Sequence, residues 1–271
     1  MLKDITLGQY YPGGSKVHRL DPRVKILLTI LYIVLLFTVK NFSGFAVFGV
    51  FTFFVIYAAK IPLRFVFKGI KPLLFIIAFT AILNIFMTQG RIAFRIPYTS
   101  IVATWEGILL AAFMIIRLVF LVIGTSLLTL TSSPISLTDG IEHLLSPLKK
   151  IGVPAHELAM MMTIAIRFIP TLLEETEKIM KAQTSRGADF ETGNILKRAK
   201  SLVPLLVPLF ISAFRRADEL ALAMECRCYN GGNGRTRMKQ LKITKTDILS
   251  CVFVVFALAL AVIVGYMSFL V

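Results

Sequence analysis

Charged residues are scarce in this sequence. Only 17% of its 271 residues are Asp, Glu, Lys or Arg, whereas 56% are hydrophobic. Soluble domains average about 25% charged residues, so this composition excludes an ordinary soluble domain and indicates a membrane protein with several spans. At about 20 apolar residues per crossing, five spans use roughly 100 residues. More than half of the chain is therefore left for loops and for one sizeable extramembrane region.

Cysteine and histidine are also rare, with three residues of each type. Cys226 and Cys228 are two positions apart and Cys251 lies in an apolar run, so no disulfide framework is indicated. No second pair of Cys or His lies near Cys226 and Cys228 to complete a metal site, and no two histidines have the helical spacing of a zinc site. The sequence predicts neither a metal site nor a cofactor.

The sequence lacks the glycine-rich loop, ending in Gly-Lys-Ser/Thr, that holds nucleotide phosphates in many ATPases. Any use of ATP must therefore come from a partner. Acidic residues are half as numerous as basic ones, 15 against 30, which gives a net charge of +15. In a membrane protein this excess reports orientation and contact with anionic lipids, so nucleic acid is not expected as a partner.

Five apolar runs predict an all-α, polytopic membrane protein. Asp21 can cap the first predicted span, with Pro22 at its first position. The third span is short, and a polar connection at 89–100 follows it. Residues 1–131 are expected to form an N-terminal membrane region with four spans, 132–247 a block of helices outside the hydrocarbon, and 248–271 a last span. The four N-terminal spans are predicted at 22–39, 42–59, 72–87 and 107–130.

The basic residues predict the orientation. Seventeen of the 30 lie between positions 132 and 245, five precede position 40, and four lie between 60 and 71. Because cytoplasmic loops are enriched in Lys and Arg, these three groups are expected inside the cell. This places the N-terminus and 132–247 in the cytosol, and residues 90–100 and the C-terminus outside, in a multi-pass protein of a bacterial cell membrane.

The cytosolic block is predicted to contain amphipathic helices at the membrane surface. A short one covers about 141–148. A longer one runs from 155 to about 186, with a kink expected at Pro170, and another runs from about 201 to 227. Charged pairs at i,i+4 are expected to support their exposed faces. These pairs are Glu174 with Lys178, Glu177 with Lys181, and Arg215 with Glu219.

Three arginines have positions of particular interest. Arg117 lies about 15 Å into the fourth predicted span, where its partners are expected to be carbonyls, hydroxyls, an amide, lipid or water. Arg186 is in the last turn of a long helix, and Gly187 fits the left-handed residue just past it. Arg227 ends the next helix, but its following residue is Cys228, and a residue other than glycine resists that conformation.

Five short motifs are spread along the chain. They are Tyr11-Pro12-Gly13-Gly14-Ser15, His18-Arg19-Leu20-Asp21-Pro22-Arg23, Ile166-Arg167-Phe168-Ile169-Pro170, Ser185-Arg186-Gly187 and Phe214-Arg215-Arg216-Ala217-Asp218-Glu219. Together they resemble the T component of energy-coupling factor transporters over nearly the whole chain. In that family, long cytosolic helices end in short Ala-Arg-Gly motifs. The resemblance assigns Arg186 to the first motif, with Ser185 before it and Gly187 after it, and Arg227 to the second, between Cys226 and Cys228.

The resemblance implies a non-enzymatic subunit that docks on two ABC ATPase subunits and moves a small, exchangeable membrane subunit. That membrane subunit is the one that binds a vitamin or a metal ion for uptake. Two other classes stay open. A membrane-embedded hydrolase or transferase needs a cluster of charged or metal-ligating residues within the spans. A self-contained secondary carrier needs paired halves with broken helices or a line of polar residues through the bilayer.

Overall fold

The computed structural model describes residues 10–39, 41–95, 102–190, 195–231 and 241–270, and these residues are mainly helical. They divide into two compact units. The membrane unit consists of the described residues within 8–140 and 241–271, and the helical unit consists of those within 141–240. Both chain ends, part of the polar connection at 89–100, and the segment at 232–240 lie outside the described residues.

The membrane unit begins with three helices, and capping residues in the sequence mark the starts of the first two. The short α1, Lys16–Arg19, is capped by Ser15, whose side chain accepts from the His18 amide. In α2, Pro22–Thr38, the Asp21 side chain accepts from the Arg23 amide at 2.9 Å and Pro22 occupies the first turn, as predicted. Helix α3, Phe42–Ala59, follows within a few residues.

The helical segment that contains the third predicted span begins before that span does. Instead of beginning at position 72, the helical segment begins with α4, Leu63–Ile70, continues through one 3₁₀ turn, Lys71–Leu73, and ends as α5, Leu74–Met87. Pro72 lies in the first turn of the 3₁₀ segment, where its missing N–H costs no helical bond. Pro72, the predicted start of the span, therefore lies inside a longer helical segment.

The remaining helices of the membrane unit are α6, Trp105–Thr131, and α10, Lys245–Leu270. An unpredicted antiparallel pair of short strands, β1 at Ile92–Arg95 and β2 at Val102–Thr104, precedes α6. Helices α2, α3, α6 and α10 share one core. A Cβ on Gly124 of α6 would lie 2.4 Å from the ring of Tyr32, so only glycine permits this approach. The most deeply buried side chains of this core are Tyr32, Leu36, Val39, Phe45, Phe48, Leu258 and Ala261.

A buried polar cluster joins the N-terminal segment to the start of α10. Asp247, only 2% exposed, accepts hydrogen bonds from the backbone N–H of Asp21 (2.9 Å) and from both the N–H and the hydroxyl of Thr244. The ammonium of Lys25 donates to the carbonyls of His18 and Thr131 at 3.0 and 2.9 Å. Because Asp247 and Lys25 each have several hydrogen-bond partners within the protein, both can be buried at this end of the membrane unit.

The helical unit contains two long helices, α8 at Ala155–Ser185 and α9 at Ile195–Cys226, preceded by the end of α7, Pro134–Leu145. Helix α8 continues through Pro170, and α9 continues through Pro204 and Pro208. The start of α9 lies six residues before the predicted start at 201. After α7, a 3₁₀ segment ends at Gly152, which is left-handed with φ +90°.

By length and composition, five helical segments of the described residues are suited to crossing a membrane. Four coincide with predicted spans, namely Phe42–Ala59, Leu63–Met87, Trp105–Thr131 and Lys245–Gly265. The fifth is Ala155–Ser185, which the sequence analysis expected on the cytosolic side. Helix α2 has 17 residues and a length of about 25 Å, slightly short for the hydrocarbon core. The fold is thus all-α with five segments suited to crossing a membrane, as predicted. One of the five, Ala155–Ser185, was not predicted as a span, and the predicted span at 22–39 is not among them.

Candidate coupling interface

The C-terminal end of α8 is closed by a Schellman motif around Arg186. The N–H of Ala188 donates to the carbonyl of Gln183 at 3.0 Å, and the N–H of Gly187 donates to the carbonyl of Thr184 at 2.9 Å. Gly187 has the left-handed conformation predicted for it, with φ +87°. These two bonds satisfy carbonyls that the helix itself leaves unpaired. Helix α8 therefore ends sharply, and Arg186 is held in a defined position at its end.

The end of α9 has the same hydrogen-bond pattern around Arg227. The N–H of Tyr229 donates to the carbonyl of Met224 at 3.0 Å, and the N–H of Cys228 donates to the carbonyl of Glu225 at 2.8 Å. Cys228 adopts the left-handed conformation, with φ +56°, although it is not a glycine. The second helix end thus keeps the geometry of the first, at the steric cost that a side chain incurs in this conformation.

Both arginine motifs are exposed to solvent. Arg186 and Arg227 are exposed, and within the described part of the chain neither forms a hydrogen bond through its guanidinium or an ion pair. Ser185 is exposed and its hydroxyl donates to the carbonyl of Lys181 at 3.1 Å. Cys226 and Cys228 are free, exposed thiols. Each arginine therefore offers five N–H donors in a planar fork next to the negative end of a helix dipole.

An ion pair connects α8 and α9. Nη2 of Arg216 lies 2.6 Å from Oε2 of Glu175, and both side chains are partly buried. From the sequence, only a pair of Arg215 with Glu219 on the same helix was predicted. The pairing of Arg216 with Glu175 was not predicted. Arg186 is eleven residues beyond Glu175, and Arg227 is eleven residues beyond Arg216. Each motif arginine is thus about 16 Å along its helix from the ion pair.

An apolar groove lies beside this ion pair between α8 and α9. Its volume is about 510 Å³. On α8 it is lined by Ile164, Phe168 and Leu172, which precede Glu175. On the other side it is lined by residues of α9 from Ala213 to Glu225 and by Tyr229, which follows the helix. The final turns of α9 therefore lie beside the first half of α8, so the two helix ends are not side by side but separated by on the order of 30 Å.

Other faces of these helices are strongly apolar and exposed. Met161 and Met162 on α8 are 57% and 41% exposed, and Phe210 and Phe214 on α9 are 60% and 67% exposed. Exposed apolar surface on this scale marks a membrane or protein contact rather than a solvated face. Further exposed apolar residues on α9 are Leu202, Val203, Leu206, Val207, Ile211 and Leu222.

Arg117 of α6 contacts a backbone carbonyl, which is one of the kinds of partner predicted for it, and two aromatic rings. Its Nη2 donates to the carbonyl of Val39, the residue at which α2 ends, at 2.8 Å. Its guanidinium carbon lies 5.6 Å and 5.8 Å from the ring centres of Phe37 and Phe45. A cation at the C-terminus of a helix is favourable, and so is a cation over aromatic rings. These contacts give Arg117 a structural role in the membrane unit.

Two of the histidines make contacts that support the fold. His18 bonds the hydroxyl of Ser15 at 2.7 Å, and its Nε2 donates to the carbonyl of Tyr11 at 3.0 Å. His156 lies 3.0 Å from a carboxylate oxygen of Glu142 within the helical unit. No group of three or more His, Cys, Asp or Glu residues with a metal-binding arrangement occurs among the described residues.

Comparison with known proteins agrees with this architecture. The sequence model of the family described as CbiQ, cobalt transport protein, matches residues 13–239. The energy-coupling factor transporter transmembrane protein EcfT of Clostridium kluyveri is 61% identical over 250 residues, which cover 92% of this chain and 93% of the relative. Its counterparts in Ruminiclostridium cellulolyticum and Bacillus subtilis are 54% identical over 269 residues and 49% identical over 248 residues. The former alignment covers 99% of this chain and 100% of the relative, the latter 91% and 93%. The chain therefore belongs to the CbiQ family and, within it, to the transmembrane proteins of energy-coupling factor transporters.

Proposed function

We propose that this chain is the coupling subunit of an energy-coupling factor importer for a vitamin or a metal ion. In this proposal two partner ABC ATPases hydrolyse ATP, a separate membrane subunit binds the substrate, and the chain itself catalyses no reaction. The observation that carries the proposal is the pair of matching helix ends, each presenting an exposed arginine after a Schellman motif. The absence of a phosphate-binding loop from the sequence supports the assignment of ATP hydrolysis to partners.

Each arginine is proposed to enter a site on one ATPase subunit and to pair there with a carboxylate. A guanidinium binds a carboxylate through two parallel hydrogen bonds, so it fixes the direction of the contact as well as its strength. The separation of the two helix ends, on the order of 30 Å, suits two docking sites on two subunits better than one composite site.

The helices behind the arginines are proposed to act as levers. The Glu175–Arg216 pair ties α8 to α9 about 16 Å from each helix end, so a displacement of one end is carried to the other helix. The exposed apolar faces, including Met161, Met162 and Phe210, are proposed to contact the substrate-binding subunit and lipid. Methionine side chains adapt to different surfaces, which suits a substrate subunit that is exchanged.

Copurification of the intact complex tests the docking role. An affinity-tagged chain extracted in mild detergent is expected to bring down two ABC ATPase subunits per chain. The Arg186→Ala variant is expected to lose most of one ATPase contact, because removing one side of a buried charge pair costs about 2–5 kcal/mol. Arg186→Lys is expected to rescue the contact only partly, since ammonium lacks the planar fork.

Lys178→Ala is the matched control, since Lys178 is an exposed basic residue on the same helix, eight positions before Arg186. It is expected to leave copurification unchanged. Equal ATPase recovery with Arg186→Ala and with Lys178→Ala would contradict the docking role. Stoichiometric ATP binding by the isolated chain would contradict the assignment of hydrolysis to partner subunits.

A further inference from the structure

The membrane unit contains a cleft that is lined by no residue of α8 or α9. Its volume is about 500 Å³, within the range of pockets that bind small molecules. Helices α2, α3, α6 and α10 form its walls, and α1 lies at one end. Most of the lining side chains are apolar: Val17, Leu20, Leu28, Phe51, Phe54, Val55, Ala58, Leu127, Leu128, Leu249, Phe253 and Val254.

The polar groups in the deeper wall are already paired within the protein. The hydroxyl of Tyr32 lies 3.2 Å from that of Thr52 and donates to the carbonyl of Phe120. The ammonium of Lys25 has three acceptors, two carbonyls and the hydroxyl of Ser132. An unpaired polar group is costly to bury, so the part of an occupant that enters this cleft must be apolar.

One end of the cleft is positively charged. Lys16 and Lys25 line it, and no Asp or Glu is among its described lining residues. Lys16 is exposed and forms no hydrogen bond through its side chain and no ion pair within the described part of the chain. This end carries α1 and the start of α2, which the distribution of basic residues assigns to the cytosolic face. A free ammonium at that level lies among the headgroups of the inner leaflet.

The cleft has the depth and the opening that a lipid chain requires. From Lys25 to Tyr32 its wall extends over seven residues of α2, about 10 Å. Its edge is formed by Phe54, Leu249 and Phe253, which are 51%, 71% and 47% exposed. The rings of Phe54 and Phe253 are in contact, with centres 5.4 Å apart. In a bilayer these exposed edges border the hydrocarbon, so an acyl chain can enter the cleft from the side.

We propose that this cleft binds one anionic glycerophospholipid, with its phosphate at Lys16 and part of one acyl chain against Tyr32, Phe51 and Gly124. Anionic lipid is favoured over zwitterionic lipid by the exposed ammonium of Lys16 at the mouth of the cleft, whereas the charge of Lys25 is offset by the nearby carboxylate of Asp247. The site does not depend on the proposed coupling role, because it uses no residue of α8 or α9. It is a binding site for a structural lipid between the helices of the membrane core.

Lipid retention by the full-length chain tests the proposal. The protein is purified in detergent, incubated with phosphatidylglycerol or with phosphatidylcholine carrying the same palmitoyl and oleoyl chains, and analysed by native mass spectrometry. We expect one phosphatidylglycerol to remain bound per chain, with phosphatidylcholine bound more weakly. Lys16→Glu is expected to weaken phosphatidylglycerol binding about tenfold, because a favourable charge is replaced by a repulsive one.

A second variant tests the acyl-chain part of the site. Ala58→Phe places a ring in the cleft and is expected to remove retention of the lipid. Two variants are matched controls that leave the cleft unchanged: Ala78→Phe adds the same ring on the exposed surface of α5, and Lys68→Glu reverses an exposed charge on α4. Both are expected to retain phosphatidylglycerol as the unmodified chain does.

Two outcomes would overturn the proposal. If Ala58→Phe folds and binds phosphatidylglycerol as tightly as Ala78→Phe does, the cleft is not the site. If phosphatidylglycerol and phosphatidylcholine bind equally and Lys16→Glu has no more effect than Lys68→Glu, the occupant is not selected by its charge. Lys16 is exposed, so its substitution is not expected to impair folding, and the charge test remains valid even if Ala58→Phe is unstable.

Discussion

Glu175 on α8 and Arg216 on α9 form an ion pair of 2.6 Å, and each lies eleven positions before one of the two motif arginines. The pair therefore connects the two helices at equal distances from their exposed ends. Within the helical unit it is accompanied by an apolar groove that extends to Tyr229, the residue whose N–H closes the Schellman motif of α9. Packing and ion pairing thus hold the end of α9 against α8.

The first prediction concerns this ion pair. Glu175→Gln is expected to lower the free energy of unfolding by only about 1 kcal/mol, because the pair is partly exposed and solvent weakens it. Its effect on coupling is expected to be larger, since α8 and α9 then move more independently. The ratio of substrate imported to ATP hydrolysed in reconstituted complexes is expected to fall several-fold.

Glu174→Gln is the control for this experiment, because Glu174 is the exposed neighbouring residue on the same helix. The double exchange of Glu175→Arg with Arg216→Glu is expected to restore part of the coupling. If Glu175→Gln imports substrate with the same yield per ATP as Glu174→Gln, the pair does not serve as a mechanical link.

The second prediction concerns the two left-handed residues. Gly187→Ala is expected to destabilise the end of α8 by about 1 kcal/mol, because Gly187 has φ +87°. No atom lies within 4 Å of the position of an added Cβ, so backbone strain alone is tested. Conversely, Cys228→Gly is expected to stabilise the end of α9 by a similar amount, since it relieves the strain at φ +56°.

Gly14→Ala is the matched control, because a Cβ at Gly14 also meets open space and its φ is not in the left-handed range. Thermal unfolding of the detergent-solubilised chain and protease sensitivity of the helix ends are the measurements. Identical behaviour of Gly187→Ala and Gly14→Ala would contradict the assigned strain. A loss of stability in Cys228→Gly would show that the cysteine side chain contributes to the helix end.

The third prediction concerns Arg117. Arg117→Leu removes the donor to the carbonyl of Val39 and the cation beside Phe37 and Phe45. Leaving that carbonyl unpaired in the membrane is expected to cost about 1–3 kcal/mol of stability. The thermal midpoint in detergent is expected to fall, while transport per folded complex remains near that of the unmodified protein.

Arg64→Leu provides the comparison, because Arg64 is exposed and has no side-chain partner within the described residues. It is expected to leave the midpoint almost unchanged. Loss of transport in an Arg117→Leu protein with an unaltered thermal midpoint would assign Arg117 a role in transport rather than in the fold.

The fourth prediction is the orientation in the membrane. Reporter fusions are expected to place residue 1 and residues 132–247 in the cytosol, and residues 90–100 and the C-terminus outside, because 17 of 30 basic residues lie between 132 and 245. Helix α8 is long and apolar enough to cross a membrane, so fusions before and after it are the decisive pair. Fusions on opposite sides of the membrane, or a cytosolic C-terminus, would contradict the predicted topology.

The features that the sequence predicts well depend on local signals. Asp21 and Pro22 mark the start of α2, and Arg186 followed by Gly187 marks the end of α8, because caps and left-handed residues act over a few neighbouring positions. Long apolar runs likewise indicate α3, α6 and α10, since the bilayer demands such runs. Each of these predictions needs only residues adjacent in sequence.

The features that it misses depend on contacts between distant segments. Glu175 pairs with a residue 41 positions away, whereas the sequence analysis considered only neighbours on one helix. Cys228 takes a left-handed conformation that its own preference opposes, and the next residue, Tyr229, lines the groove with Ile164 and Phe168 of α8. Helix α4 was not predicted, because a proline lies on either side of it, Pro62 and Pro72, and prolines commonly interrupt helices.

The central claim is that the arginines at the two helix ends transmit the work of ATP hydrolysis, and transport by a double variant tests it most directly. The measurement is substrate uptake by vesicles containing the complete transporter with Arg186→Ala and Arg227→Ala together, at matched amounts of inserted protein, with Lys178→Ala as the control. The account predicts that the double variant inserts normally and loses nearly all uptake, while the control keeps it. Full uptake by a stably inserted double variant would contradict the coupling role.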